Sequence, residues 1–258
     1  MLDARQQGQV IALSAQAGRT SFYPGRPSDT LGYNGSYLGP TLRVHRGDEV
    51  KVAVTNRLSA DTTVHWHGLL IPGELDGGPH QLIPPGTTWR PNLPVRQPAA
   101  TLLYHSHVHG LTAEQVYSGL AGMLIVTDQE EQGLGLPSDY GVDDLPLLIQ
   151  DRQFQDGRLV MPAGMMTAMQ GRRGDTILVN GAPNPWPRCR TAWSGCAWST
   201  APTPASTTFP SATGAASTGS APRAACWNGR WHCGASPWRP GNGPRSSWIS
   251  PTAGRSLW

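Results

Sequence analysis

The chain has 258 residues, 38% of them hydrophobic and 14% charged, with 31 Gly and 24 Pro. That length accommodates one or two domains with real cores, the composition favours a loop-rich β protein over a helical one, and the lack of any run of roughly 18 apolar residues excludes a membrane-spanning helix. The formal net charge of +3 averages two unlike parts: all 17 acidic residues precede Trp186, while 7 Arg of the 20 basic residues follow it, leaving 13 basic residues and a net of −4 in the first part, which argues against nucleic-acid binding.

Met1-Leu2-Asp3-Ala4-Arg5 lacks the apolar core of a signal peptide. The chain as given is therefore expected to be soluble and without an export address, although a start codon placed too late would look the same. Residues 10–17 alternate loosely and are expected to form an edge strand. Residues 25–39 are turn-rich, with Asn34-Gly35 as a strong turn signal. Residues 41–45 and 49–56 predict a hairpin around Arg46-Gly47-Asp48, with Val50, Val52 and Val54 on one face. A first histidine strand is expected at 62–68 and a long Gly/Pro loop at 71–85, containing Asp76 and His80. Residues 87–95 read as an edge strand broken by prolines. A second histidine strand follows at 100–107, then one helical turn at 112–117 and an apolar strand at 121–127. Short strands at this spacing make an all-β sandwich or Greek-key barrel.

Residues 128–144 are polar and turn-rich, as a linker would be. Strands are expected again at 145–151 and 176–179, as if a second β domain were opening. From Pro187 onward the pattern fails. The stretch has no Val, Met, Tyr, Gln, Asp, Glu or Lys, yet it holds seven of the ten Trp and all four Cys (189, 196, 226 and 233). Linkers avoid Trp and Cys, and this composition is what GC-rich coding DNA yields out of frame. The tail 187–258 is therefore read as frameshifted, unstructured and without a packed core. The first 186 residues are silent on disulfides.

Two histidine pairs carry the chemistry. They are Val64-His65-Trp66-His67-Gly68 and Tyr104-His105-Ser106-His107. Alternate residues of a strand share a face, so each pair points one way with Cα atoms ~6.5 Å apart. Two such strands side by side gather four imidazoles, the commonest ligands of copper and zinc. A lone pair of this kind is more often structural; two in like contexts point to metal. Trp66, between the ligands, faces the core. A dinuclear zinc hydrolase usually has an acid two residues after its second His, where this chain has Leu69. A mononuclear zinc site of His105, His107 and His109 is an alternative while the strand lasts, but Gly110 suggests it has ended. Met161, Met165, Met166 and Met169 could ligate Cu(I), but such runs are more often apolar filler.

Pro40-Thr41-Leu42-Arg43-Val44, Gly47-Asp48, Asn56-Arg57-Leu58, His65-Trp66-His67-Gly68, Asp76-Gly77-Gly78-Pro79-His80, Tyr104-His105-Ser106-His107 and Gly119-Leu120-Ala121-Gly122 stand in the order and spacing of the first cupredoxin domain of multicopper oxidases. Over residues 10–185 the chain resembles the bacterial copper-tolerance and laccase-like members. The resemblance implies that His65 is a type 2 copper ligand and that His67, His105 and His107 are type 3 ligands. These are half of an eight-histidine trinuclear cluster that reduces O₂ to water with electrons from phenols or metal ions. It also implies a periplasmic or exported protein. Asp76 falls where the family places an acid for proton delivery; an Asx turn before Gly77-Gly78 is the plainer reading. His45, His80 and His109 have no ligand role in the family pattern.

The resemblance implies a cupredoxin domain at 1–128 and the start of a second at 145–186, joined by a linker at 129–144; the tail at 187–258, read from its composition, lies outside it. The family's type 1 copper needs a cysteine flanked by two histidines. The one His-Cys step here, His232-Cys233, is followed by Gly234. The chain alone is therefore expected to be inactive. A non-catalytic copper-binding cupredoxin and, further off, a zinc hydrolase are the alternatives. The sequence names no reducing substrate.

Overall fold

The computed structural model describes residues 1–6, 10–185, 195–200 and 230–232, the last two segments as backbone only. In chain order the elements are β1 (Leu2–Asp3), β2 (Val10–Tyr23), β3 (Arg26–Tyr33), β4 (Leu42–His45), β5 (Glu49–Asn56), β6 (Thr88–Trp89), β7 (Asn92–Pro94), β8 (Ala100–His105), α1 (Thr112–Ser118), β9 (Ala121–Thr127), α2 (Gln129–Gly133), β10 (Asp144–Gln155), β11 (Arg158–Val160), α3 (Met165–Gln170), β12 (Thr176–Val179), β13 (Ala182–Pro183), β14 (Gly195–Thr200) and β15 (Arg230–His232).

Two sheets face each other across one core. One runs β1-β4-β9-β8; the other runs β3-β2-β5-β6, with β7 also paired to β5. Period-2 patterning explains the packing. Ile11, Leu13 and Ala15 of β2 and Val50, Val52 and Val54 of β5 point inward, against Leu42 and Val44 of β4 and Leu124 and Val126 of β9. β9 is buried along its whole length, because its outer face is also covered. Ala121 joins Leu38, Leu103 and Val116 in a second cluster with Leu148 of β10. β10 is the spine of a third sheet, ordered β13-β12-β10-β14-β15, with β11 paired to β10. The sandwich and the third sheet thus share a core.

Four expectations are corrected. The strand at 10–17 is not an edge: β2 lies between β3 and β5 and runs on to Tyr23, because Arg26–Tyr33 turns back at Pro24-Gly25 to pair with it. Residues 41–56 are not a hairpin. β4 pairs in parallel with β1 and β9, β5 pairs in parallel with β2, and Arg46-Gly47-Asp48 carries the chain from one sheet to the other. The first histidine segment is extended but is not a continuous strand; single bridges Thr62↔Ile83 and His65↔His105 hold it. The second histidine strand ends at His105, after which a single further bond, from the Ser106 N–H to the Leu120 carbonyl at 3.2 Å, follows the β8–β9 pairing.

The expected strand at 121–127 and the strand at 176–179 are present, and 87–95 splits into β6 and β7 along the edge of β5. The expected linker contains α2, capped by the Asp128 carboxylate on the Glu131 N–H at 2.8 Å. In the tail, β14 pairs in parallel with β10 and β15 pairs antiparallel to β14. At these two segments the structure departs from the expectation of no structure, because an open β10 edge satisfies a neighbouring backbone whatever its side chains are. The rest of 187–258, including the inferred frameshift point, lies outside the described residues.

Candidate metal centre

The site forms where the first histidine segment lies against the end of β8. The His65 N–H donates to the His105 carbonyl at 2.8 Å, and the His105 N–H donates back to the His65 carbonyl at 3.0 Å. Residues so opposed project to the same face. His65, His67 and His105 therefore share one face, while Trp66 and Tyr104 alternate into the core, both fully buried. His107 lies past the strand end, where its N–H donates to Thr63 Oγ1 at 2.7 Å.

The four rings converge. Ring centroids lie 5.5 Å apart for His65 and His67, 5.3 Å for His65 and His105, 5.4 Å for His67 and His105, 5.2 Å for His65 and His107, and 5.9 Å for His105 and His107. One ring nitrogen from each of His65, His67 and His105 lies within 4.8 Å of the others. His67 Nδ1 is 3.1 Å from His105 Nε2. Two nitrogens that share one ion at ~2.0 Å and an angle near 100° stand about that far apart.

Neighbouring acceptors set the tautomers. His105 Nδ1 donates to the Ser106 carbonyl at 2.8 Å, which leaves Nε2 a bare lone pair. His65 Nδ1 donates to the Asp76 carbonyl at 3.1 Å and lies 3.2 Å from Asp76 Oδ2, so its Nε2 is bare as well. Such outer partners orient an imidazole and raise its basicity as a ligand. His107 Nδ1 is buried and has no hydrogen-bond partner. An all-imidazole donor set with converging bare nitrogens and a buried orphan nitrogen fits a metal ion.

Burial favours the neutral form of His105 and of His67. Burial pushes the His105 pKa down to about 4, with its imidazole neighbours adding to the effect and its bond to Ser106 opposing it. His67 is lowered by desolvation, then by His65 and His107, with Asp76 acting the other way. The sign for stability follows. In the metal-free chain the unfolded His105 binds a proton near pH 6.5 and the folded one near pH 4, so stability is lost as pH falls through that window. The loss should approach about 3 kcal/mol. Urea unfolding of wild type and His105→Gln between pH 7.5 and pH 4 checks this: the wild type should show the steeper fall, and parallel curves would contradict it.

Asp76 lies at the end of a short 3₁₀ turn, Gly73–Leu75, and its carbonyl also accepts the Trp66 N–H at 3.2 Å. The Gly77 N–H donates to Gln81 Oε1 at 2.7 Å, which holds the loop after Asp76. The remaining candidates are elsewhere. His45 sits on β4 between Asp3 Oδ1 at 3.4 Å and Thr127 Oγ1 at 2.6 Å. His80 and His109 are exposed, as are Met165 and Met169 on α3. Leu69 is buried in the core. Sequence reasoning missed a buried polar group beneath the histidines, formed by Thr62, Thr63, Ser106 and Gln115. The hydroxyl residues flanking the histidines hinted at it, but nothing in the spacing selected Gln115.

The family model described as multicopper oxidase matches residues 14–131. This chain belongs to the multicopper oxidase family. A bacterial laccase-like multicopper oxidase, CueO from Ochrobactrum sp., superposes with a TM-score of 0.72 and 41% identity over 76% of this chain and 44% of that one. Its likeness makes the sandwich cupredoxin-like. The multicopper oxidase McoA of Aquifex aeolicus matches at 33% identity with a TM-score of 0.67, covering 75% of this chain and 43% of its own. Among relatives, the multicopper oxidase mco of Staphylococcus aureus is 48% identical over 67% of this chain and 38% of its own length. The cell division protein FtsP of Xenorhabdus nematophila is 45% identical over 72% of this chain and 39% of its own. The chain thus spans about two fifths of the relatives it matches.

Proposed function

We propose that this chain supplies half of the ligands of a trinuclear copper centre, with His65 toward a type 2 ion and His67, His105 and His107 toward a type 3 pair. The observation that supports this best is the 3.1 Å approach of His67 Nδ1 to His105 Nε2, with a His65 ring nitrogen close by. Imidazole donors bind Cu(II) ahead of other divalent first-row metals. Bound copper would supply the one-electron steps by which the intact family couples oxidation of a phenol or metal ion to reduction of O₂ to water. The protein's own groups hold and orient. Carbonyls of Asp76 and Ser106 fix the His65 and His105 tautomers. The partly exposed Asp76 carboxylate, against His65 and open to solvent, is suited to pass protons inward.

A second reading is a copper-binding module without turnover, favoured by a His-Cys step, His232-Cys233, that is followed by Gly234 in place of a second flanking histidine. In either case the protein acts outside the cytoplasm, as the resemblance implies. Among the described residues no helix is long and apolar enough to cross a membrane.

Uptake of O₂ by the copper-loaded chain, with a phenol or Cu(I) as donor, tests the reading together with visible absorbance. The expected result is a colourless chain that binds copper and sustains no four-electron turnover, because its one His-Cys step lacks the second flanking histidine. A blue chain with sustained O₂ reduction would contradict it.

A further inference from the structure

We infer, on the copper reading of the cluster, that Gln115 is a positioning residue for the histidines, acting through the two backbone segments that carry them. Its side chain lies beneath the site, 4% exposed, on α1. Oε1 accepts hydrogen bonds from the Thr62 hydroxyl at 2.9 Å and from the Ser106 hydroxyl. Nε2 donates to the Asp61 carbonyl at 2.7 Å. Asp61 and Thr62 lead into His65, and Ser106 stands between His105 and His107. One side chain thus ties together both histidine segments.

The tie matters because the ladder stops there. Beyond the His65–His105 bridge neither segment has a continuous strand partner; one backbone bond, from the Ser106 N–H to the Leu120 carbonyl, remains, and side-chain bonds complete the hold on Ser106 and His107. The amide matches its surroundings. Its oxygen faces two hydroxyl donors and its nitrogen faces a carbonyl. A carboxylate there would meet the Asp61 carbonyl with no donor and bury a charge; a thioether would leave two hydroxyls and a carbonyl unpaired.

α1 cannot shift to make up the loss. The buried Arg152 of β10 donates to the Val116 carbonyl at 3.3 Å and stands 4.5 Å over the Tyr117 ring. The Tyr117 hydroxyl donates to the Val160 carbonyl at 3.0 Å and accepts the Gln153 N–H at 2.8 Å. The third sheet therefore anchors the helix from which Gln115 reaches the histidines.

The test uses the full chain as wild type, Gln115→Met and Ser106→Ala, with Leu148→Ala as a core control beside α1. Three readouts are taken: Cu(II) affinity, the Cu(II) electron paramagnetic resonance spectrum, and imidazole ¹⁵N shifts of the metal-free chain, all well below each unfolding midpoint. Gln115→Met should weaken Cu(II) binding by about tenfold, the low end of the cost of losing a group hydrogen-bonded to a ligand, because Gln115 acts one step further out, through Thr62 and Ser106. It should also change the copper spectrum and move the His105 and His107 shifts. Ser106→Ala should do the same to a smaller degree, and Leu148→Ala should lower stability with site spectra unchanged. A Gln115→Met chain that loses stability but keeps wild-type affinity, spectrum and shifts would overturn the inference. If Gln115→Met does not fold, Ser106→Ala and Thr62→Val decide it on the same readouts. If the wild type takes up no copper, the copper reading fails, and the imidazole shifts of the metal-free variants alone decide whether Gln115 positions the rings.

Discussion

Replacing His105 with alanine should weaken Cu(II) binding by roughly a hundredfold or more, while His109→Ala should leave it unchanged. His105 is the centre of the group. Its Nε2 faces His67 Nδ1 at 3.1 Å, its ring lies within 6 Å of three other imidazoles, and its own Nδ1 is tied to the Ser106 carbonyl. Changing only an outer partner of a ligand typically costs about 10- to 100-fold in affinity, so removing the ligand should cost at least as much. Alanine also leaves a small void at a site that is 3% exposed, so folding must be verified before affinities are compared. His109 is exposed and lies outside the donor group among the described residues. Competition titration against a chelator of known affinity reads both variants. A His105→Ala chain within threefold of wild type would remove the histidine cluster from the account.

Gly77→Ala should destabilise the sandwich by about 3 kcal/mol or more, the range of the more damaging single substitutions. Gly77 has φ +71°, and a Cβ there would lie 1.7 Å from the Val64 carbonyl oxygen. That oxygen is backbone in a fully buried segment, so no rotamer change relieves the clash. The loop must move instead, and Asp76 moves with it, away from His65 Nδ1 and the Trp66 N–H. Gly86→Ala separates clash from backbone strain. Gly86 has φ +75° but open space where the Cβ would go, so it should cost only about 1 kcal/mol. Urea unfolding midpoints compare the two. Equal losses would mean that the Val64 contact is not what makes Gly77 necessary.

The sequence carried the histidine cluster well because strand periodicity is local. Once 62–67 and 100–105 are extended, His65 and His67 share a face opposite Trp66, and His105 points away from the side of Tyr104; that His105 joins the other two rests on the His65–His105 bridge. Partner choice is not local, which is why 41–56 read as a hairpin although β4 and β5 sit in opposite sheets. Both segments alternate, and alternation says nothing of which strand lies alongside. The same gap hid the long β2: residues 18–23 look unremarkable until β3 folds back on them. Asp76 was legible as a candidate, but its bonds to His65 depend on the path of an irregular loop. Gln115 was not legible at all, since a single polar residue in a short helix has no period to betray it. β14 shows the converse case, where backbone pairing with β10 takes in a segment whose side chains have no pattern.

The most direct test of the central claim is to load the metal-free chain with Cu(II) in the presence of equal Zn(II), and to record its electron paramagnetic resonance and X-ray absorption spectra beside those of the His65→Ala/His107→Ala chain. Copper should be taken up in preference to zinc, ligated by imidazole nitrogens, and lost or re-ligated in the double variant. Zinc taken up in preference, copper held by oxygen or sulfur donors, or an identical copper spectrum in the double variant would contradict it.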